Sequence, residues 1–164
     1  MIIINHLNQN TSAGAPATYT GLQSVRLKVI LPQRTPVTNG SLVEVRVIKD
    51  ARFGNIDIPL RSKILGIARL FNNRVQIEFN ELQVKNRTYT CSGRAYDLKF
   101  LPGIKYNPLN ARAKQVLLEE LKSAAAGVPI VGRMVNQPDF NPLTDEITTL
   151  DEGLEFYALI TNIF

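Results

Sequence analysis

Between Val37 and Asp97 apolar side chains fall on every second residue, and the runs are cut at short intervals by residues that favour tight turns. Val43, Val45 and Val47 alternate with Glu44 and Arg46; Val75, Ile77 and Phe79 alternate with Gln76, Glu78 and Asn80. A period of two puts one set of side chains on one face of a strand and the other set on the opposite face. A chain built this way folds by burying the apolar faces of several short strands against one another.

The interruptions fix where the strands turn. Thr38-Asn39-Gly40-Ser41 precedes the valine strand, and Asn-Gly supplies the left-handed conformations that tight turns require. Asp50 to Asn55 reads as a turn, and Ile58-Pro59 ends the short strand after it at an edge or bulge. Gly66, inside the apolar run Ile64 to Phe71, marks a bulge or a close backbone approach of the kind found at a barrel corner. Asn72-Asn73 reads as a two-residue hairpin turn and Lys85-Asn86 as another. The apolar phase slips from Phe79 to Leu82 and Val84, which places a bulge near Asn80-Glu81. Thr88 to Leu98 returns as a strand carrying Tyr89, Cys91 and Tyr96. With the earlier strand of Val25, Leu27 and Val29, the fold class is mainly β: a small antiparallel barrel or sandwich with one amphipathic α-helix before the last strand.

The flanks read differently. Residues 1–20 have no apolar period and are expected to form a flexible N-terminal arm, leaving 21–164 as the β domain. Asn107 as N-cap and Pro108 at the first helical position predict a helix over about 108–126, roughly 27 Å long, stopped by Gly127 and Pro129. Val128 to Thr149 reads as an irregular connection. The final strand, about 153–164, must return to the sheet to bury Leu154, Phe156, Ala158 and Ile160.

Catalytic equipment is absent from the pattern, and the chain is read as no enzyme. The one histidine, His6, sits in the arm, and Cys91 alone cannot complete a metal site. No glycine-rich phosphate loop occurs, and the acid pairs Glu119-Glu120, Asp145-Glu146 and Asp151-Glu152 are sequence neighbours whose side chains point apart. No cofactor, metal or small-molecule substrate is therefore expected. Cys91 reads as a small buried hydrophobe. No stretch reaches the roughly 18 to 20 apolar residues of a membrane-spanning helix, and Met1 to His6 lacks the basic n-region and full h-region of an export signal.

Charge divides the chain. All 19 basic residues lie before Asn136 with 8 of the 14 acids, whereas Asn136 to Phe164 holds the other six acids and no base. A basic body with an acidic last segment can satisfy itself within one subunit or between neighbours. The alternative is an OB-like basic barrel for single-stranded nucleic acid, with Arg26, Lys28, Arg46, Arg69, Arg74, Arg87 and Arg94 outward and Phe53, Phe71, Tyr89 and Tyr96 as stackers.

The residues at the turns also resemble a known family. Thr38-Asn39-Gly40-Ser41, Ile58-Pro59 leading to Leu65-Gly66-Ile67-Ala68, Asn73-Arg74-Val75-Gln76-Ile77 before Leu82-Gln83, Tyr96-Asp97-Leu98 and Gly103-Ile104 stand in the order of the C-terminal domain of conjugative-transposon TraM, within the VirB-ten-like barrels of type IV secretion core complexes. The resemblance covers roughly Val25 to Tyr106 and, more weakly, the final strand. It implies a structural subunit of an oligomeric cell-envelope assembly, in the periplasm, scaffolding a conjugation or type IV secretion-like channel. It further implies a homo-oligomeric ring, with other envelope-complex subunits as partners. The membrane anchor and proline-rich stretch expected upstream in that family, and its longer helical pair, have no counterpart in the sequence. In such a ring the acidic residues Asp145, Glu146, Asp151 and Glu152, with Leu117 and Leu121 on the helix, are the candidate subunit interface.

Overall fold

A computed structural model describes residues 23–124 and 146–164. The expected N-terminal arm with His6, the expected connection from Val128 as far as Asp145, and the side chain of Leu121 lie outside the described residues. Eleven strands are β1 (Val25–Ile30), β2 (Thr35–Val37), β3 (Leu42–Val47), β4 (Ala51–Phe53), β5 (Ile56–Ile58), β6 (Lys63–Phe71), β7 (Arg74–Val84), β8 (Arg87–Tyr96), β9 (Ile104–Lys105), β10 (Thr148–Leu150) and β11 (Glu155–Ile163); one helix, α1, spans Ala111–Ala124. The fold is mainly β, antiparallel and sandwich-like.

The largest sheet runs β6-β3-β1-β11-β8-β7-β9, and β6 also pairs with β7, so six strands form a hydrogen-bonded ring. The ring is uneven. β6 and β7 pair along their whole length, from Lys63↔Gln83 to Phe71↔Arg74, whereas β1 and β3 meet only at Val29↔Val47 and Ile30↔Arg46. β1 and β3 therefore overlap only at their C-terminal ends, which leaves a weak seam in a ring packed over one core. Leu27, Val29, Val43, Val45, Val47, Ile64, Ile77, Phe79, Leu82, Phe156, Ala158 and Ile160 fill it, all at most 2% exposed. The alternation seen in the sequence is the alternation of this core, and β11 returns between β1 and β8 as its apolar face requires.

The turns fall where the sequence puts them. Asn72 and Asn73 join β6 to β7 with φ of 51° and 57°, the paired positive values of a twisted hairpin turn. Lys85, φ 54°, lies in the next two-residue turn. Pro59 stands outside β5 and opens a turn whose carbonyl accepts the N–H (3.1 Å) and hydroxyl (2.7 Å) of Ser62.

Three expectations are corrected. The helix starts at Ala111, not near Pro108, because the cap is Asn110: its side-chain oxygen accepts the Ala113 N–H (2.8 Å) and its carbonyl the Lys114 N–H (2.9 Å). Asn107 and Pro108 are left in the approach to it. Thr148–Leu150 is not part of an irregular connection but forms β10, paired with Thr35–Val37. Three-residue strands are too short to show a period, and this pairing joins segments more than a hundred residues apart. Ala51–Phe53 is likewise a strand, paired with Ile56–Ile58 around Gly54-Asn55, instead of part of a turn.

Candidate assembly interface

The outer face of the ring is shaped by one line of irregularities. Gly66 on β6 and Gly93 on β8 both pair with Phe79 on β7, and Gly93 also pairs with Ile160 on β11. The register shifts beside each pairing, at Leu65/Gly66, Phe79/Glu81 and Ile160/Asn162, so the expected Gly66 corner and the expected Asn80 bulge are one bend. Neither glycine has room for a side chain. A Cβ at 66 would stand 2.7 Å from the Glu78 carbonyl oxygen, and one at 93 would stand 2.5 Å from Ile160 Cδ1.

The bend leaves an open concavity of about 680 Å³ outside the sheet, lined by Ile67, Arg69, Glu78, Arg94, Leu159 and Tyr96 among others. A second hollow continues it past Phe71 and Gln76 and shares Arg69, Glu78 and Arg94. Cys91, at its floor, is buried, and desolvation with the nearby Glu81 charge pushes its thiol up to about 11. A thiol held protonated there is a packing group, as the sequence suggests.

One rim of the concavity is a knot between the ends of β7 and β8. The Arg74 guanidinium pairs with the Asp97 carboxylate and donates to the carbonyls of Pro102 (2.6 Å) and Gly103 (2.7 Å). Asp97 in turn accepts the N–H groups of Lys99 and Leu101, each at 2.9 Å. Desolvation works to raise the Asp97 carboxyl, but the Leu101 N–H, Arg74 and the Lys99 N–H outweigh it and hold the group below the usual carboxylate range. The loop this fixes presents Phe100, which stacks on Tyr96 (centroids 4.6 Å, planes 10° apart) and tilts against Tyr157. Arg26 from β1 lies 3.9 Å over the same ring. Thus Arg74, Tyr96 and Asp97, read separately as motif residues, form one unit with Asn73, whose carbonyl accepts the Tyr106 N–H.

The Thr38–Ser41 turn is a latch on the other side of β6. The Gly40 N–H donates to the Ala68 carbonyl (2.8 Å), the Asn39 side chain accepts the Leu70 N–H (2.7 Å), and the Ser41 hydroxyl accepts the Thr38 N–H (2.9 Å). The Thr38 hydroxyl reaches the Glu146 carbonyl at 3.0 Å, tying the segment before β10 to the ring.

The acidic residues separate into three settings. Glu146 is half-buried near the Tyr106 phenol; burial first and this carboxylate second push that phenol above its ordinary range. Glu155 is paired with Lys28 at 2.7 Å, which raises the lysine. Asp151 and Glu152 stand exposed at the turn before β11. On the helix, Leu117 is buried within its own subunit, while its neighbour Val116 is 50% exposed. Asp145 lies outside the described residues. Sequence reasoning missed the Asp97–Gly103 loop, the Arg26–Phe100 stack and the pairing of Arg74 with Asp97. The available signal was a polar residue after a strand, Asp97, followed by Pro-Gly at 102–103.

Among the described residues no cluster of His, Cys, Asp or Glu could hold a metal ion, and no helix is long and apolar enough to cross a membrane. The family model of the conjugative transposon protein TraM matches residues 27–141, from the second residue past the start of β1 through the helix and beyond. The chain belongs to the conjugative transposon TraM family. Membership makes this TraM-family chain a structural component of a conjugation system. Among solved structures it is similar to ComB10 of the Com type IV secretion system of Helicobacter pylori, at 12% identity over 87% of this chain and 90% of that one, with a TM-score of 0.45. No curated protein matches it.

Proposed function

We propose that the chain is a scaffold subunit of the channel of a conjugation apparatus, repeated around a homo-oligomeric ring in the cell envelope and seated among other subunits of the same complex. The observation that carries this reading is the TraM family match over residues 27–141, from within β1 through β9 and the helix. The fold is consistent with it: a bonded strand ring with a filled core leaves the outer face and the flanking turns for contacts with neighbours. The candidate interface comprises Asp145, Glu146, Asp151 and Glu152, with Leu121 and the part of α1 where Val116 stands exposed beside the buried Leu117. The domain plan is an N-terminal arm over 1–20 that orders against a neighbour and a β domain over 21–164. Nothing in this role calls for catalysis.

The rival reading, a barrel that binds single-stranded nucleic acid, uses the same basic face. One of its stackers, Tyr96, is already engaged by Phe100, over which Arg26 lies, whereas Phe71 stands exposed. Light scattering of the full chain with and without a labelled oligonucleotide separates the two. Particles of many subunits whose size ignores the oligonucleotide support the scaffold. A monomer that binds the oligonucleotide with a steep loss of affinity at higher salt overturns it.

A further inference from the structure

Arg69 and Arg94 stand exposed on adjoining parts of the concave outer face, and the side chain of neither makes a hydrogen bond or ion pair among the described residues. The same holds for Asp151 and Glu152 at the turn before β11. One acid, Glu78, shares the concavity with the two arginines, pairing in register with Arg94, so the face keeps a net positive charge. Ile67 and Leu159 give it half-buried apolar walls.

The two charged sites cannot meet within one subunit. The acidic turn is fastened to the end of β1: the Gly153 N–H donates to the Leu31 carbonyl (2.9 Å) and the Leu31 N–H to the Leu154 carbonyl (3.0 Å). Arg94 lies on the cross-strand row Glu78↔Arg94↔Leu159↔Arg26, and Arg69, opposite Gln76, stands two residues along β6 from that row. From Arg26 to Leu31 is five residues of extended strand, about 17 Å. Leu31 directly follows β1, so the turn is held at the far end of that strand.

We infer that the acidic turn of one copy docks in the arginine-lined concavity of the next, Asp151 and Glu152 facing Arg69 and Arg94. A knob and a socket at different places on one chain make a head-to-tail contact, which repeats and closes into a ring if the rotation allows. The inference rests on the scaffold reading above and supplies its second half, the surface that receives the acids.

The test uses two full-length variants, Arg69→Glu with Arg94→Glu and Asp151→Lys with Glu152→Lys. All four positions are exposed, and thermal melts check that each variant folds. Measured by sedimentation, each variant alone associates at least ~10-fold more weakly than the wild type, because its knob and socket now carry the same sign. Mixing the two variants restores assembly, since each then offers the charge the other needs. Wild-type assembly with no change in either variant, or no recovery on mixing, overturns the docking contact and leaves the scaffold reading standing. A wild type that remains monomeric at every concentration overturns both. Loss of oligonucleotide binding in the arginine variant, with particle size unchanged, assigns the concavity to nucleic acid and also overturns the contact.

Discussion

The strand ring and the helix are held in place by different means. Within the ring, Phe79, Phe156, Leu27 and Ile160 are almost wholly buried in one continuous cluster, and hydrogen bonds link each strand to its neighbours. Helix α1 offers one fully buried side chain among those described, Leu117, which lies outside that cluster, and an exposed ion pair from Glu120 to Arg34 at 3.1 Å. Exposed pairs contribute little. Among the described residues the ring therefore holds most of the buried apolar side chains, and the helix is fastened by fewer contacts. Such a division would suit the proposed scaffold role, with the ring keeping its shape and the helix and outer turns left for neighbours.

The largest effect expected is on the core. Phe156→Ala should cost about 3–5 kcal/mol by urea denaturation, through lost burial and the cavity it leaves. Leu117→Ala should leave that midpoint nearly in place and lower helical circular dichroism. Equal losses from the two would show that helix and ring are one cooperative unit and would break the comparison.

Next is the bend. Gly66→Val should cost about 1–3 kcal/mol, since the added carbons meet the Glu78 carbonyl and the side chains of Ile77 and Phe79. A variant as stable as the wild type would mean that β6 and β7 can part there without loss.

A smaller effect is expected at the knot that closes β7 on β8. Asp97→Asn removes the charge that Arg74 and two backbone N–H groups hold, for a loss of about 0.5–1.5 kcal/mol near neutral pH. The folded carboxyl sits below its ordinary value, so its contribution is complete above about pH 4 and fades as pH falls through the lower folded-state value. The gap between wild type and variant should close in acid, as chemical denaturation across pH would reveal; a gap independent of pH would assign the loss to packing.

Smallest is the ion pair of the helix. Glu120→Gln should change stability by no more than about 0.5 kcal/mol. A loss several times larger, read from the same denaturation curves, would show that α1 is fastened to the ring more firmly than its contacts imply.

The comparison also explains what could be read in the sequence. Ring strands are long enough to show a period, and their corners need particular residues: Asn72-Asn73 for two positive φ values, Gly66 for a backbone approach that excludes Cβ. Those features are local, and they were legible. The start of α1 was misplaced because Asn107 and Asn110 are both competent caps, and only the packing of the chain after β9 chooses between them. β10 escaped notice because Thr148–Leu150 gains its partner, Thr35–Val37, from the far end of the sequence. The Arg74–Asp97 pair is also non-local: each residue could be singled out from the motif order, but not their contact. For the same reason Asp151 and Glu152 were legible as candidates from charge alone, whereas the arginines that would receive them could be separated from the other outward bases only once strand register was known.

Whether this chain is a repeating structural subunit is tested by class averages of the purified full-length protein in electron microscopy. The account predicts closed rings of identical β domains related by rotation, with the turn before β11 of each domain against the bent outer face of the next. Dispersed monomers, or two-fold dimers joined through the same surface on both copies, would contradict it.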